Sequence, residues 1–199
     1  SSDVCSSDLY FPEWIMAGTV YADTNVFGRR YDQEQWKHAM GIGLIPTRVT
    51  QAKGDAAVLW NWYFGTEPPA ENTAGIIEGN VRLLYNGLSL AGPDLDAEHF
   101  GAGLYAQPLP PDDPSGLRSI VSWDNTGAKG IWPSDFGGLD NAGVIWWDPT
   151  APGKDETGTE GTGMYRLVDG GRRYLTGDWP TDPLPLFDPA GTSTEYIDD

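Results

Sequence analysis

The order of apolar and polar positions along this chain predicts a strand, a helix, a second strand, several helices and then more strands. Residues 13–18 (EWIMAG) form a short apolar run ending in Gly and predict a buried strand. A polar, turn-rich stretch follows, and then DQEQWKHAMG predicts a helix. In it Asp32 caps the start, Trp36, Ala39 and Met40 fall on one face, and Gly41 suits the C-cap. Residues 42–47 (IGLIPT) predict the second strand, with Pro46 confining its end to an edge or crossover.

Asp55 opens a further helix in which Val58, Leu59, Trp62 and Tyr63 share a face and Gly65 ends the run. The clearest helical pattern comes next. Ile77, Val81, Leu84, Leu88 and Ala91 recur at steps of three or four, and Gly92-Pro93 stops them. Asp96 caps another helix, with Leu95 and Phe100 placed as a hydrophobic staple. Beyond Leu109 the character changes. LPPDDPSG predicts a loop, SIVSW a strand, DNTGAKG a turn and AGVIWWD a strand. TGMYRLV-DGG-RRYLTG predicts a hairpin about Asp169-Gly170-Gly171, and the tail after Trp179 is Pro- and Asp-rich. This order argues for an α/β protein with a mixed sheet.

Composition narrows the function classes. The 199 residues carry 29 acidic and 12 basic side chains, a formal net charge of −17. Such a charge repels nucleic acid and anionic lipid, so neither is an expected partner. Nine Trp and 39% hydrophobic residues are too many for a disordered chain. The single Cys excludes a disulfide framework and any CxxC site, and no apolar run is long enough to span a bilayer. Residues 1–9 (SSDVCSSDL) match the conceptual translation of a sequencing-adapter end, so they are read as a non-native scar and Cys5 carries no function. On that reading the natural protein continues upstream of Tyr10.

Catalytic signatures are sparse. There is no GxSxG, HExxH, Walker A or strand-bound GxGxxG motif, and His38 and His99, each in a predicted helix, are the only histidines. Abundant carboxylates keep a two-carboxylate glycosidase open by residue type, with Glu13 beside Trp14 and Asp148 after Trp146-Trp147 as the first candidates. The Trp-rich strands also allow a sugar-stacking platform, although filling of the core accounts for them better. Loops around Asp135, Asp140 and Asp155 suggest Ca²⁺, although none follows the EF-hand spacing, and a solvated acidic surface accounts for them as well.

The run from EWIMAG through KHAMGIGLIPTR, followed by the long helix and NGLSLAGPDLDAEHFGAGLYA, resembles the later half of type I periplasmic binding proteins, the solute receptors of ABC importers. The leucine/isoleucine/valine-binding branch is the most similar. Gly87, Leu88, Ala91 and Gly92 match its G-x-x-x-A-G helix end, residues 96–105 its short capped helix, and GVIWWD its returning strand. RLVDGGRRY and the acidic insert DPTAPGKDETGTEGTG lie outside the pattern.

The resemblance implies parts of two Rossmann-like lobes with a mixed, β-rich C-terminal segment. Residues 10–46 would belong to lobe 2, residues 47–140 to lobe 1, and residues 141–199 to the return into lobe 2 and the tail. It implies an extracytoplasmic, non-enzymatic protein without cofactor or metal, which binds a small polar solute such as an amino acid between the lobes and hands it to a membrane permease. The loop after the first strand would face the cleft, which singles out Thr19, Tyr21 and Asp23. Asp23 is equally well read as a helix cap. The start of the long helix would add Thr73 and Glu78, where the family often carries aromatics. An acidic carbohydrate-active protein, either glycosidase or Trp-platform module, is the competing expectation.

Overall fold

The computed structural model describes residues 12–18, 21–44, 55–69, 71–107, 116–117, 120–122, 138–175 and 177–194. Thr19, Pro46, Asp135, the residues joining the second strand to the first long helix, and the expected DNTGAKG turn lie outside them. What is described is a mixed α/β protein whose main sheet has five strands in the order β1-β2-β5-β6, with β7 also paired to β5.

β1 (Trp14–Ala17) runs parallel to β2 (Ala39–Gly43), with Trp14 opposite Ala39 and Ala17 opposite Ile42. A parallel pair needs a crossover. Two four-residue helices supply it, α1 (Asn25–Gly28) and α2 (Gln33–Trp36). The Asp32 carboxylate accepts the Glu34 and Gln35 amides at 3.0 and 3.1 Å, so the cap expected at α2 is present. The helix itself is shorter than its periodicity predicts. Ala39 and Met40 leave it through the Lys37–His38 turn and enter β2. Pairing decides this, because there Ala39 faces β1, Met40 pairs with both Ile15 and Trp146, and Ala39 is fully buried. Gly41 is needed at its place in β2, since a Cβ there would lie 1.9 Å from the Met16 carbonyl oxygen. His38 consequently sits in a turn and not in a helix.

β2 pairs on its other side with β5 (Asn141–Lys154), antiparallel, from Met40–Trp146 to Gly43–Gly143. The acidic insert keeps its loop only at residues 155–159. Its first half extends β5 through a bulge between Asp148 and Pro152, and the chain turns back into β6 (Glu160–Leu167). The expected hairpin about Asp169-Gly170-Gly171 is corrected. β6 and β7 (Arg173–Leu175) do not pair with each other but follow one another along β5, separated by a 3-10 turn at Asp169–Gly171. With φ of 52°, 63° and 94° at those three residues, the chain jogs without reversing. Two short strands, β3 (Val121–Ser122) and β4 (Gly138–Leu139), form a separate antiparallel pair.

The main core gathers Met16, Ala39, Ile145, Trp147, Tyr165 and Leu167, with Trp36 packed against it. Its pieces interlock through specific contacts. Trp147 donates its indole N–H to Gln33 at 2.8 Å and lies edge-on to Tyr165, and Gly28 leaves room for its ring, which a Cβ would meet at 2.3 Å.

Between β2 and β5 in sequence come α3 (Asp55–Phe64), α4 (Glu71–Ala91) and α5 (Ala97–Tyr105). α4 packs on α5 and α3. Phe100 lies against Gly87, where a Cβ would come within 2.2 Å of its ring, and Gly103 lies against the Leu90 backbone. The staple expected at α5 is not made in that form, because Leu95 is left 67% exposed, although Asp96 does cap the helix by accepting the His99 amide at 2.8 Å. The face expected to be buried on α3 is also corrected. Val58, Leu59, Trp62 and Tyr63 are all exposed, and Ala57 is the buried position. Among the described residues no helix is long and apolar enough to cross a membrane.

Candidate functional site

The C-terminal ends of parallel strands are where open α/β sheets leave room for ligands, since the chain departs there toward the crossover. Here that place is the segment after β1 together with the end of β2. Gly18 donates its N–H to the Ile42 carbonyl at 2.9 Å, keeping the two strand ends together. Asp23 is fully buried, and its Oδ2 accepts the Leu44 N–H at 2.8 Å. Gly18 admits this contact, because a Cβ there would sit 2.4 Å from the same oxygen. Asp23 thus braces the end of β2 with its carboxylate.

The capping alternative for Asp23 is corrected. Thr24 is the cap of α1, accepting the Phe27 amide on its hydroxyl oxygen and donating the hydroxyl to the Tyr21 carbonyl at 2.7 Å. Tyr21 stands at φ 62°, a left-handed conformation unusual for a side chain of that size, and its ring is 45% exposed. Strain of this kind persists where surrounding contacts hold the backbone. Here they include the Thr24 N–H and hydroxyl on the Tyr21 carbonyl and the Tyr165 hydroxyl, which donates to the Ala22 carbonyl at 2.8 Å. The result is a hydrogen-bonded turn at Tyr21–Thr24 that leaves Tyr21 exposed to solvent.

The other candidates fall differently. Thr19 lies outside the described residues. Thr73 and Glu78 belong to the first two turns of α4, whose side chains there are outside the description. The described contacts pack α4 closely on α5 and α3, and the sheet strands are not among its close partners. Tyr21 and Asp23 are brought together, whereas no described contact joins them to α4. The chain matches no protein-family model, and neither curated proteins nor solved structures give a significant match.

The residues raised by the competing expectations are committed elsewhere. Trp146 and Trp147 are 4% and 0% exposed, so neither offers a face for sugar stacking. Asp148 is bonded to the Arg166 guanidinium at 2.5 Å and accepts the Thr150 hydroxyl at 2.6 Å. Burial alone would raise its pKa; the Thr150 hydroxyl, Arg166 and the Thr150 amide outweigh it and hold the carboxyl below its usual range. A general acid working near neutral pH needs the opposite shift. Glu13 is exposed at the start of β1. His99 sits on the surface with Nδ1 2.8 Å from Asp96.

Asp155, one of the Ca²⁺ candidates, is spent on its own turn and on a cation. Its Oδ1 accepts the Thr157 hydroxyl and the Thr157 and Thr159 amides, and its Oδ2 meets Arg29 at 3.2 Å. Among the described residues no group of His, Cys, Asp or Glu is arranged to hold a metal ion.

One network was missed by the sequence analysis. Arg29, just past α1, donates to the carbonyls of Gly153, Thr159 and Gly163 as well as to Asp155. Glu156 reaches back in the other direction, accepting the Asn25 and Val26 amides at the start of α1. Together they clamp the tip of the β5–β6 hairpin onto the crossover that carries Tyr21. No local signal marks these partners, which lie more than 120 residues apart in the chain.

Proposed function

We propose that this chain is part of a non-enzymatic solute receptor of an ABC importer, working outside the cytoplasm and passing its cargo to a membrane permease. It would bind a small polar solute, an amino acid or a related molecule, between two Rossmann-like lobes of type I periplasmic-binding-protein design. One observation carries the reading: β1 and β2 share a single sheet with β5, β6 and β7, while the helices between β2 and β5 pack on one another. A chain that leaves a sheet, builds a helical segment and returns to pair Gly143 with Gly43 is what the resemblance predicts for a crossover between lobes. The position of Tyr21, exposed in a hydrogen-bonded turn near the C-terminal ends of β1 and β2, adds support.

On this reading Tyr21 covers the solute with its ring, and Thr19, Thr73 and Glu78 line the remainder of the cleft. Asp23 keeps the loop in place from beneath.

The test is ligand-dependent thermal stabilisation of the protein against a panel of amino acids, amides and sugars. A solute at one hundred times its Kd raises stability by about 2.7 kcal/mol, a readily measured shift in Tm. We expect one chemical class to give a saturable shift that Tyr21→Ala diminishes. A panel that leaves the Tm unmoved throughout would overturn the receptor reading.

A further inference from the structure

The far edge of the sheet, opposite β1, is closed by two devices of different kinds. β6 presents outward-facing backbone groups at Gly163, Tyr165 and Leu167. Side chains of the crossover take the first two: Arg29 donates to the Gly163 carbonyl at 3.0 Å, and Asn25 accepts the Tyr165 N–H at 2.7 Å. The third belongs to the C-terminal segment. Leu167 donates to the Ser193 carbonyl at 2.7 Å and accepts the Ser193 N–H at 3.0 Å, and Gly170 donates to the Gly191 carbonyl at 2.8 Å. Arg166 adds a bond to the Thr192 hydroxyl, and the Phe187 ring rests 5.6 Å from that of Trp146. An edge strand left open invites pairing with other chains, so its closure has a physical purpose.

The C-terminal device is closed at some expense. Trp146 is 4% exposed, yet among the described residues its indole N–H meets no hydrogen-bond partner, a cost that water would remove on opening. Phe187, whose ring rests against that of Trp146, is held at φ 61°, a left-handed conformation that a bulky side chain resists, and 40% of its surface faces solvent. The described bonds that offset these terms lie at the sheet's margin.

We propose that residues 179–194 form a releasable strap. Phe187 seated on Trp146 and Ser193 bonded to Leu167 define its closed state, and the segment swings away as a unit while the sheet stays folded. Release bares the Trp146 indole N–H and the Leu167 edge groups together.

Amide hydrogen exchange on the full chain, followed residue by residue, tests this. The Leu167 and Gly170 amides report the strap. The Gly18 amide, held by the Ile42 carbonyl at 2.9 Å, and the Val168 amide, held by the Val144 carbonyl at 3.0 Å, report the sheet. The strap pair is expected to exchange roughly tenfold or more faster than the sheet pair. Phe187→Ala and Ser193→Pro, both on the strap, should each accelerate the strap pair again and leave the sheet pair unchanged. Equal rates for all four amides overturn the proposal, because the strap would then open only with the sheet. So does a strap pair that neither variant accelerates selectively.

Discussion

Single residues in this protein divide by the reach of their interactions. Asp32 and Asp96 cap helices two or three residues away, and both were legible in the sequence because the contact is local. Arg29 was not. Its guanidinium joins three carbonyls and one carboxylate of the β5–β6 hairpin, and its side chain is 15% exposed. Removing such a cation leaves Asp155 and several carbonyls without their donor, so Arg29→Ala should cost about 3–5 kcal/mol in urea unfolding. Arg29→Lys should recover little of this, since an ammonium cannot reproduce the planar fork that serves divergent acceptors. A loss below about 1 kcal/mol in either variant would contradict the clamp. At the candidate site, Tyr21 was named from its place after a strand, but its left-handed backbone and the burial of Asp23 depend on neighbours that sequence does not reveal.

Elements show the same division one level up. The helices α3, α4 and α5 were legible because their pattern repeats every three to four residues and Gly65 and Gly92, at φ 69° and 74°, end the first two. The stretch around Ala39 was misread because a short run of spaced apolar residues suits either helix or strand, and pairing with β1 and β5 chose the strand. RLVDGGRRY was misread for a related reason. A Gly-rich turn between two strand-like runs predicts a hairpin, but β5 is long enough to pair with both runs in succession. The parallel β1–β2 pair rests on Gly41. Gly41→Ala should lower stability by about 3 kcal/mol or more in thermal unfolding, because its Cβ would overlap the Met16 carbonyl. Gly101→Ala in α5 has open space around the new methyl and should instead stabilise by about 0.5–1 kcal/mol. Similar effects from both substitutions would mean that the close approach of β1 and β2 is not limiting.

For the whole molecule, titration couples these sites to pH. Burial, reinforced by the hydrogen bond to the Asp169 carboxylate, pushes the Tyr174 hydroxyl up to about 12. The folded protein therefore keeps a proton that the unfolded chain releases near 10, and Tyr174 supports folding fully below that pH. The contribution is lost as pH rises from 10 to about 12. At the acid end the sign reverses. Asp148 and Asp155 would be raised by burial, but threonine hydroxyls, amide donors and their arginines lower them below the ordinary 3.8. Their contribution is present above that value and drains away as pH falls through the lowered pKa values. Stability against pH should thus decline at both extremes, and Tyr174→Phe should flatten the alkaline decline while leaving the acid one intact. An alkaline decline of unchanged steepness in Tyr174→Phe would contradict this assignment.

The sequence by itself determined the local features: the mixed α/β class, the three long helical patterns, two of the caps, and a formal net charge of −17. These follow from interactions within a few residues or from summed charge. Tertiary structure decided the remainder: that residues 39–43 pair as a strand, that the acidic insert is half of a clamped hairpin, and that Trp147 enters the core while Trp146 packs against Phe187. It also decided that Asp23 braces a strand end while Tyr21 meets solvent. Each of those outcomes depends on a partner brought from far along the chain, and short-range pattern carries no information about which distant partner will arrive.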